Sequence, residues 1–252
     1  EFKEQSVIHT SLFSKTILAL KRDSQTLYAM KSISFPMEIP FDDVNAEQFI
    51  DICRRLVKLN HPCSMKISYV SLPDKNQGLS PAIYTMLTPN HSLQNVIENQ
   101  ASAGMVDGMD ATQEKIILLG VSKYLNYLHR TGPHGRLKAS NVLLDLNLYP
   151  LVSDAFFYEL NQKIPNSSLS KPTDYLVSLS KETLSEGIVT LKSDIYSFGI
   201  LALQILTHQI NVFSSLSNDV DEIEQHILNG VKPLIPDYID GEIKNLIEKC
   251  LS

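Results

Sequence analysis

Few residues of this sequence have a type and spacing that could do chemistry unaided. Cys53, Cys63 and Cys250 are its three cysteines. No two of them stand at the short spacing of a zinc site, and an odd number suits reduced thiols better than a disulfide framework. A lone histidine such as His9 carries little motif information, so a partly exposed place on a hairpin is a simpler reading than a phosphate ligand. Other polar side chains fall into three short strings: YAMK at 28–31, ending on Lys31; HGRLKASN at 134–141, with Arg136, Lys138 and Asn141; and LVSDAFF at 151–157, with Asp154. Arg136 has one property in any context. A guanidinium stays protonated through the physiological range, so it can pair with a carboxylate or phosphate and cannot accept a proton. Taken singly, YAMK or SDA is weak, because strings that short arise by chance.

The elements that must position these strings follow from periodicity. Residues 7–20 and 26–34 are rich in β-branched and aromatic side chains and flank the polar turn Lys21-Arg22-Asp23-Ser24, which reads as a hairpin. Phe49, Ile52, Cys53, Leu56 and Leu59 recur at helical spacing and stop before His61-Pro62. Ala82 to Leu87 reads as a strand, and Pro89-Asn90 breaks it ahead of the helical SLQNVIENQ. From residue 113 the pattern is mainly helical, with Ile116, Ile117, Leu119, Leu125 and Leu128 as an apolar stripe. Short strands are expected at Val142–Leu144 and Leu151–Ser153, then a polar stretch over 161–180. Residues 192–207 are apolar on nearly all sides, as in a helix buried within a core.

Composition narrows the class. With 252 residues and 43% hydrophobic content the chain can bury a large core, as one large domain or two joined lobes. A formal charge of -6 gives no general attraction to nucleic acid or anionic lipid. No apolar run approaches the roughly 20 residues that span a bilayer, and the start Glu1-Phe2-Lys3-Glu4 is no signal peptide. The expected location is therefore cytoplasmic, without membrane insertion.

Taken in order, six segments resemble the signature set of eukaryotic protein kinases, most closely the tyrosine-kinase-like branch. YAMK is similar to the third strand with its nucleotide lysine, at Lys31. LNHPC (59–63) resembles "LxHPN", and TPNHSL (88–93) resembles the hinge and following helix start. HGRLKASNVLLD (134–145) resembles the catalytic loop "HRDLKPSNILLD", LVSDAFF resembles "kisDFGl", and KSDIYSFGILALQILT (192–207) resembles "KSDVYSFGVLLLEILT". The resemblance implies an α+β, bilobal fold over 1–252. Its small β-rich N-lobe would cover 1–87, with one helix; the hinge would lie at 86–90 and a larger helical C-lobe at 91–252, its last helices cut short. It implies nucleotide binding by Lys31, Ala29, Thr85, Met86, Leu143, Asn141 and Asp154, with Leu93 also suited to the adenine lining. Asn141 and Asp154 are its candidate metal ligands, and Asp194 its holder of the catalytic-loop backbone.

Departures from the family pattern fall on its chemistry. All three glycines of the phosphate loop are absent from His9-Thr10-Ser11-Leu12-Phe13-Ser14-Lys15-Thr16, where backbone without β-carbons would approach the phosphates. Ile52 stands where the glutamate partner of the lysine belongs; Glu47 or Asp51 could serve only if the helix turned. Arg136 stands in place of the catalytic aspartate. Ala155 and Phe156 replace phenylalanine and glycine after Asp154, and Phe156 or Phe157 is expected to fill the space that Ala155 leaves. Glu182, within Ser180-Lys181-Glu182, matches the "APE" glutamate.

These departures lead to the expectation of a pseudokinase, not an enzyme, acting as an intracellular scaffold or allosteric partner of proteins such as an active kinase or a flanking domain, without nucleic acid. A nucleotide-binding switch and an unconventional transferase are the alternatives. No cofactor is required on this reading, while ATP, with or without magnesium, is the ligand the site would accept.

Overall fold

Alternating apolar side chains dominate the first third of the chain, and there the strands pair. In a computed structural model, which describes residues 2–11, 14–33, 43–72, 80–103, 109–161 and 171–252, strands β1 (Phe2–Thr10), β2 (Ser14–Lys21), β3 (Thr26–Ile33), β4 (Ile67–Ser71) and β5 (Ala82–Met86) form one sheet. Their order is β1-β2-β3-β5-β4, with every pair antiparallel. The run 7–20, expected as one arm of a hairpin, is two strands. Ser11 closes the turn between them: its N–H donates to the Ser14 carbonyl at 2.8 Å and its hydroxyl lies 2.8 Å from that of Ser14. Leu12 and Phe13, within the expected phosphate loop, lie outside the described residues. Strand β4 was not expected at all, although Ile67, Tyr69 and Val70 are residues that favour strands.

The period of two divides the sheet's faces. Ile17, Ala19, Tyr28, Met30, Ala82 and Tyr84 bury one face, with Phe2 packed against it; the Phe2 ring stacks on Tyr84 at 4.1 Å and meets Tyr28 edge-on at 5.6 Å. Ala29 and Lys31 therefore belong to the other face, where Ala29 pairs with Thr85 and Lys31 with Ile83. Helix α1 (Asp43–Lys58) turns Phe49, Ile52, Cys53 and Leu56 inward. On its outer side Asp51 pairs with Arg55 at 3.1 Å, one helical turn on. This sheet and helix make one compact unit, Glu1–Asn60 with Met65–Thr88.

The second unit, His61–Ser64 with Pro89–Ser252, is mainly helical. It holds α2 (Leu93–Ala103), α3 (Ala111–Leu128), the two-stranded β6 (Val142–Leu144) and β7 (Pro150–Val152), and α4 (Thr173–Val177), α5 (Lys181–Glu186), α6 (Leu191–Thr207), α7 (Val220–Leu228) and α8 (Gly241–Cys250). Helix starts are set by side chains that satisfy the otherwise orphaned amides. Asp110 and Gln113 cap α3 reciprocally, as Thr190 and Ser193 cap α6. Helix α6 is buried on nearly every side, and Leu203, Ile200, Phe213, Ile223 and Ile247 share one core. Gly199 permits that packing, since a β-carbon there would lie 2.8 Å from Cβ of Cys250. The stripe expected on α3 needs one correction: Leu119 is 54% exposed, and Val121 and Tyr124 take the inward positions instead. The two-lobe α+β architecture thus holds, and no helix among the described residues is long and apolar enough to cross a membrane.

Ile52 shows no exposed surface. An ionised side chain put there loses its hydration inside an apolar contact, a penalty of several kcal/mol. Ile52→Glu is expected to lower the melting temperature by roughly 10 °C or more in a thermal melt. A Tm within about 2 °C of the parent would mean that α1 can turn this position to water.

Candidate functional site

The second unit organises its polar residues around one carboxylate. Asp194 lies in the first turn of α6, where the helix dipole favours an anion, and it is 1% exposed. Its Oδ2 accepts the backbone N–H of His134 at 2.6 Å and Nε2–H of His129 at 2.9 Å, while Oδ1 accepts the backbone N–H of Gly135 at 2.8 Å. His134 carries the arrangement onward. Its Nδ1 accepts the N–H of Arg136 at 3.1 Å, so Nε2 bears the proton and donates to the carbonyl of Ser153 at 2.9 Å. Burial holds this imidazole below its ordinary pKa, against the opposing pull of Asp194 and Asp154, in keeping with the neutral tautomer. Asn141, in the short 3₁₀ turn Ala139–Asn141, donates Nδ2–H to the Arg136 carbonyl at 2.8 Å, a bond that does not use its amide oxygen. The Ser153 N–H in turn donates to the Asn141 carbonyl at 2.9 Å.

Two residues missed by sequence reasoning shape this loop. Gly135 has φ of 75°, and a β-carbon there would stand 2.1 Å from Cδ1 of the Tyr158 ring. The arginine that the family string carries at this place would collide with that ring. Tyr158 itself belongs to no motif that would have drawn notice. Phe156 has φ of 69° and Asp154 of 68°; aspartate tolerates the left-handed region, whereas a bulky side chain is strained there. Phe156 is nonetheless held. Its N–H donates to the His134 carbonyl at 3.0 Å and its side chain, like those of Ala155 and Phe157, is 1% exposed. The two phenylalanines are packed into the interior beside the small Ala155.

Arg136, at the catalytic-aspartate position, is pushed below the usual guanidinium range by burial, with Tyr175 and then Asp154 acting in the opposite sense. Lys138 forms a 2.7 Å ion pair with Asp174 of α4, and its ammonium lies 5.6 Å from the centre of the Tyr175 ring. Among the nucleotide candidates of this unit, Asn141 and Asp154 are buried and Leu143 is partly buried on β6. Leu93, also expected along the adenine, is completely buried. In the first unit the strand register brings Ala29 beside Thr85; Lys31 is partly buried and Met86 is exposed at the end of β5. Glu47 and Asp51, the acids weighed as partners of Lys31, are both exposed on α1, and Asp51 is engaged by Arg55. No group of three or more His, Cys, Asp and Glu able to hold a metal ion occurs among the described residues. The carboxylate of Asp154 and the amide oxygen of Asn141 are hard donors, and such a pair suits one magnesium ion completed by phosphate and water.

Residues 5–252 match the model of the family described as protein tyrosine and serine/threonine kinase. The chain is a member of that protein kinase family. Similar proteins include, from Arabidopsis thaliana, cysteine-rich receptor-like protein kinase 46, 37% identical over 185 residues that cover 70% of this chain and 28% of its own length. Putative cysteine-rich receptor-like protein kinase 33 is 35% identical over 192 residues, covering 69% of this chain and 29% of that protein. Pollen receptor-like kinase 5 is 31% identical over 175 residues, covering 66% and 23%. The kinase domain thus spans less than a third of the length of the curated relatives it matches.

Membership and the names of these relatives overturn the expectation that the chain is not an enzyme. The inference failed for a physical reason. A positioned base contributes roughly 10²- to 10⁴-fold to a rate, a small part of the total acceleration by an enzyme, so its replacement bears on speed rather than on class.

Two outcomes follow from this geometry. Phe156→Gly relieves left-handed strain of about 1–2 kcal/mol but removes a buried ring worth about 3–5 kcal/mol, so packing wins. Urea unfolding should show a net loss of about 1–4 kcal/mol, and unchanged stability would mean that the ring contributes no packing. For His134 the pKa is lowered on folding from 6.5. The unfolded chain then binds the extra proton first, so stability is present above about pH 6.5 and falls as the pH drops through and below that value. His134→Gln should flatten the stability profile between about pH 5.5 and 6.5; equal slopes in parent and variant would refute this.

Proposed function

We propose that this chain is the kinase domain of a receptor-like signalling protein, working in the cytoplasm, that binds ATP, transfers phosphate slowly, and also signals through contact with a protein partner such as an active kinase or a flanking domain. One observation carries the proposal. The loop bearing Asn141 is tied down through Asp194 and His134 as a phosphate-binding loop must be, while a permanent cation, Arg136, stands at the place of the proton acceptor. On this reading, by the family resemblance, the nucleotide contacts are Ala29, Lys31, Thr85 and Met86 in the first unit and Leu143, Asn141 and Asp154 in the second. Magnesium, when bound, neutralises phosphate charge, with Asp154 and Asn141 as its protein ligands. The charge of Arg136 takes over part of that neutralisation. The cytoplasmic placement is supported by three free cysteines, two of them buried, and a protein partner by a net charge that disfavours polyanions.

Calorimetric titration of ATP with magnesium and then with EDTA, run beside transfer of radiolabelled phosphate to a generic protein substrate, tests the proposal. The expected affinity is weaker than about 1 μM and changes little on chelation. The expected turnover is roughly 10²- to 10⁴-fold below that of a family member with aspartate in place of Arg136, and it is lost in Asp154→Ala. Submicromolar affinity that collapses with EDTA would overturn the role given to Arg136. Absence of both binding and transfer would reduce the function to partner contact.

A further inference from the structure

The short segment Lys171–Val177 makes contacts that phosphate transfer does not use. Lys171, 7% exposed, pairs with Glu224 of α7 at 2.9 Å. Three residues on, Asp174 Oδ2 approaches Lys138 Nζ at 2.7 Å, with 17% and 13% of the respective side chains exposed. The next residue, Tyr175, places its ring centre 5.6 Å from the same ammonium. Leu176 and Val177 then anchor α4 in the helical core, both fully buried. Two adjacent residues of one helix thus engage Lys138. The segment is fastened on one side by an ion pair and on the other by apolar packing. A pair this shielded, with a short charge-assisted hydrogen bond, is stronger than the exposed pairs that contribute almost nothing.

We propose that Lys171–Val177 is an intramolecular strap whose Asp174 carboxylate occupies the anion-binding position of Lys138 and competes there with the terminal phosphate of a nucleotide. The strap deepens the ATP-binding reading and rests on it for the identity of the ligand, but the competition at Lys138 can be measured without a nucleoside. Inorganic tripolyphosphate reports the anion position alone, and ATP reports the complete ligand.

Both probes are titrated calorimetrically, without metal, into the parent, Asp174→Asn, Lys138→Ala and the double variant, each checked for folding by circular dichroism. Asp174→Asn removes the competing charge at nearly constant shape; Asp174→Ser serves if that variant does not fold. Removing the competitor should tighten tripolyphosphate and ATP about tenfold, and the gain should vanish when Lys138 is also replaced. No gain with either probe, or an equal gain without Lys138, overturns the strap. A gain with tripolyphosphate while ATP binds to no variant upholds the strap and sinks the ATP reading. ATP binding that is untouched by Asp174→Asn does the reverse.

Discussion

A carboxylate shut away from water must be met by donors, and Asp194 is the group on which the rest of the helical unit depends. Leaving a buried ion unsatisfied costs several kcal/mol; here three donors from two stretches of chain converge on it. Two of the three are backbone N–H groups, of His134 and Gly135. Their contribution therefore does not depend on which side chain stands at position 136. The loop can keep its path while the residue at the base position changes from an acceptor to a permanent cation. This separates the two properties that sequence reading had joined: the architecture rests on amides, whereas the rate rests on side chains.

Much of the fold was legible because period and burial agree. Helix α6 reads as buried on nearly all sides and is so from Ser197 to Ile205, with Asp194 brought inside by the cap that Thr190 and Ser193 form. Errors arose where a side chain overrides local propensity. Nothing in the β-branched run 7–20 betrays the turn, because it is closed by the hydroxyl and amide of Ser11 and not by Gly or Pro. Leu119 fits the apolar period of α3 yet faces solvent.

For the site, the strings that resemble the kinase signatures brought Asn141, Asp154 and Asp194 into view, but they are silent about what surrounds them. The left-handed backbone of Gly135 answers to Tyr158, 23 positions away, and Asp174 meets Lys138 across 36 positions. No spacing rule connects either pair. The absent base was legible as well, and it was given too much weight: a missing acceptor predicts a slower reaction, and class membership is read from the whole chain.

The corner after Asp154 shows how a loss of backbone freedom can be absorbed. Where the family string has glycine, Phe156 accepts a left-handed φ worth about 1–2 kcal/mol of strain. A fully buried ring returns about 3–5 kcal/mol, and the N–H bond to the His134 carbonyl ties the corner to the loop that Asp194 already holds. Strain of this size persists only where the surroundings over-determine it. That condition is met because the same His134 donates its backbone N–H to Asp194, accepts from Phe156 and Arg136, and bonds through its ring to Ser153. The position of Asp154 is therefore set from both sides, by β7 and Ser153 before it and by the packed Phe156 after it.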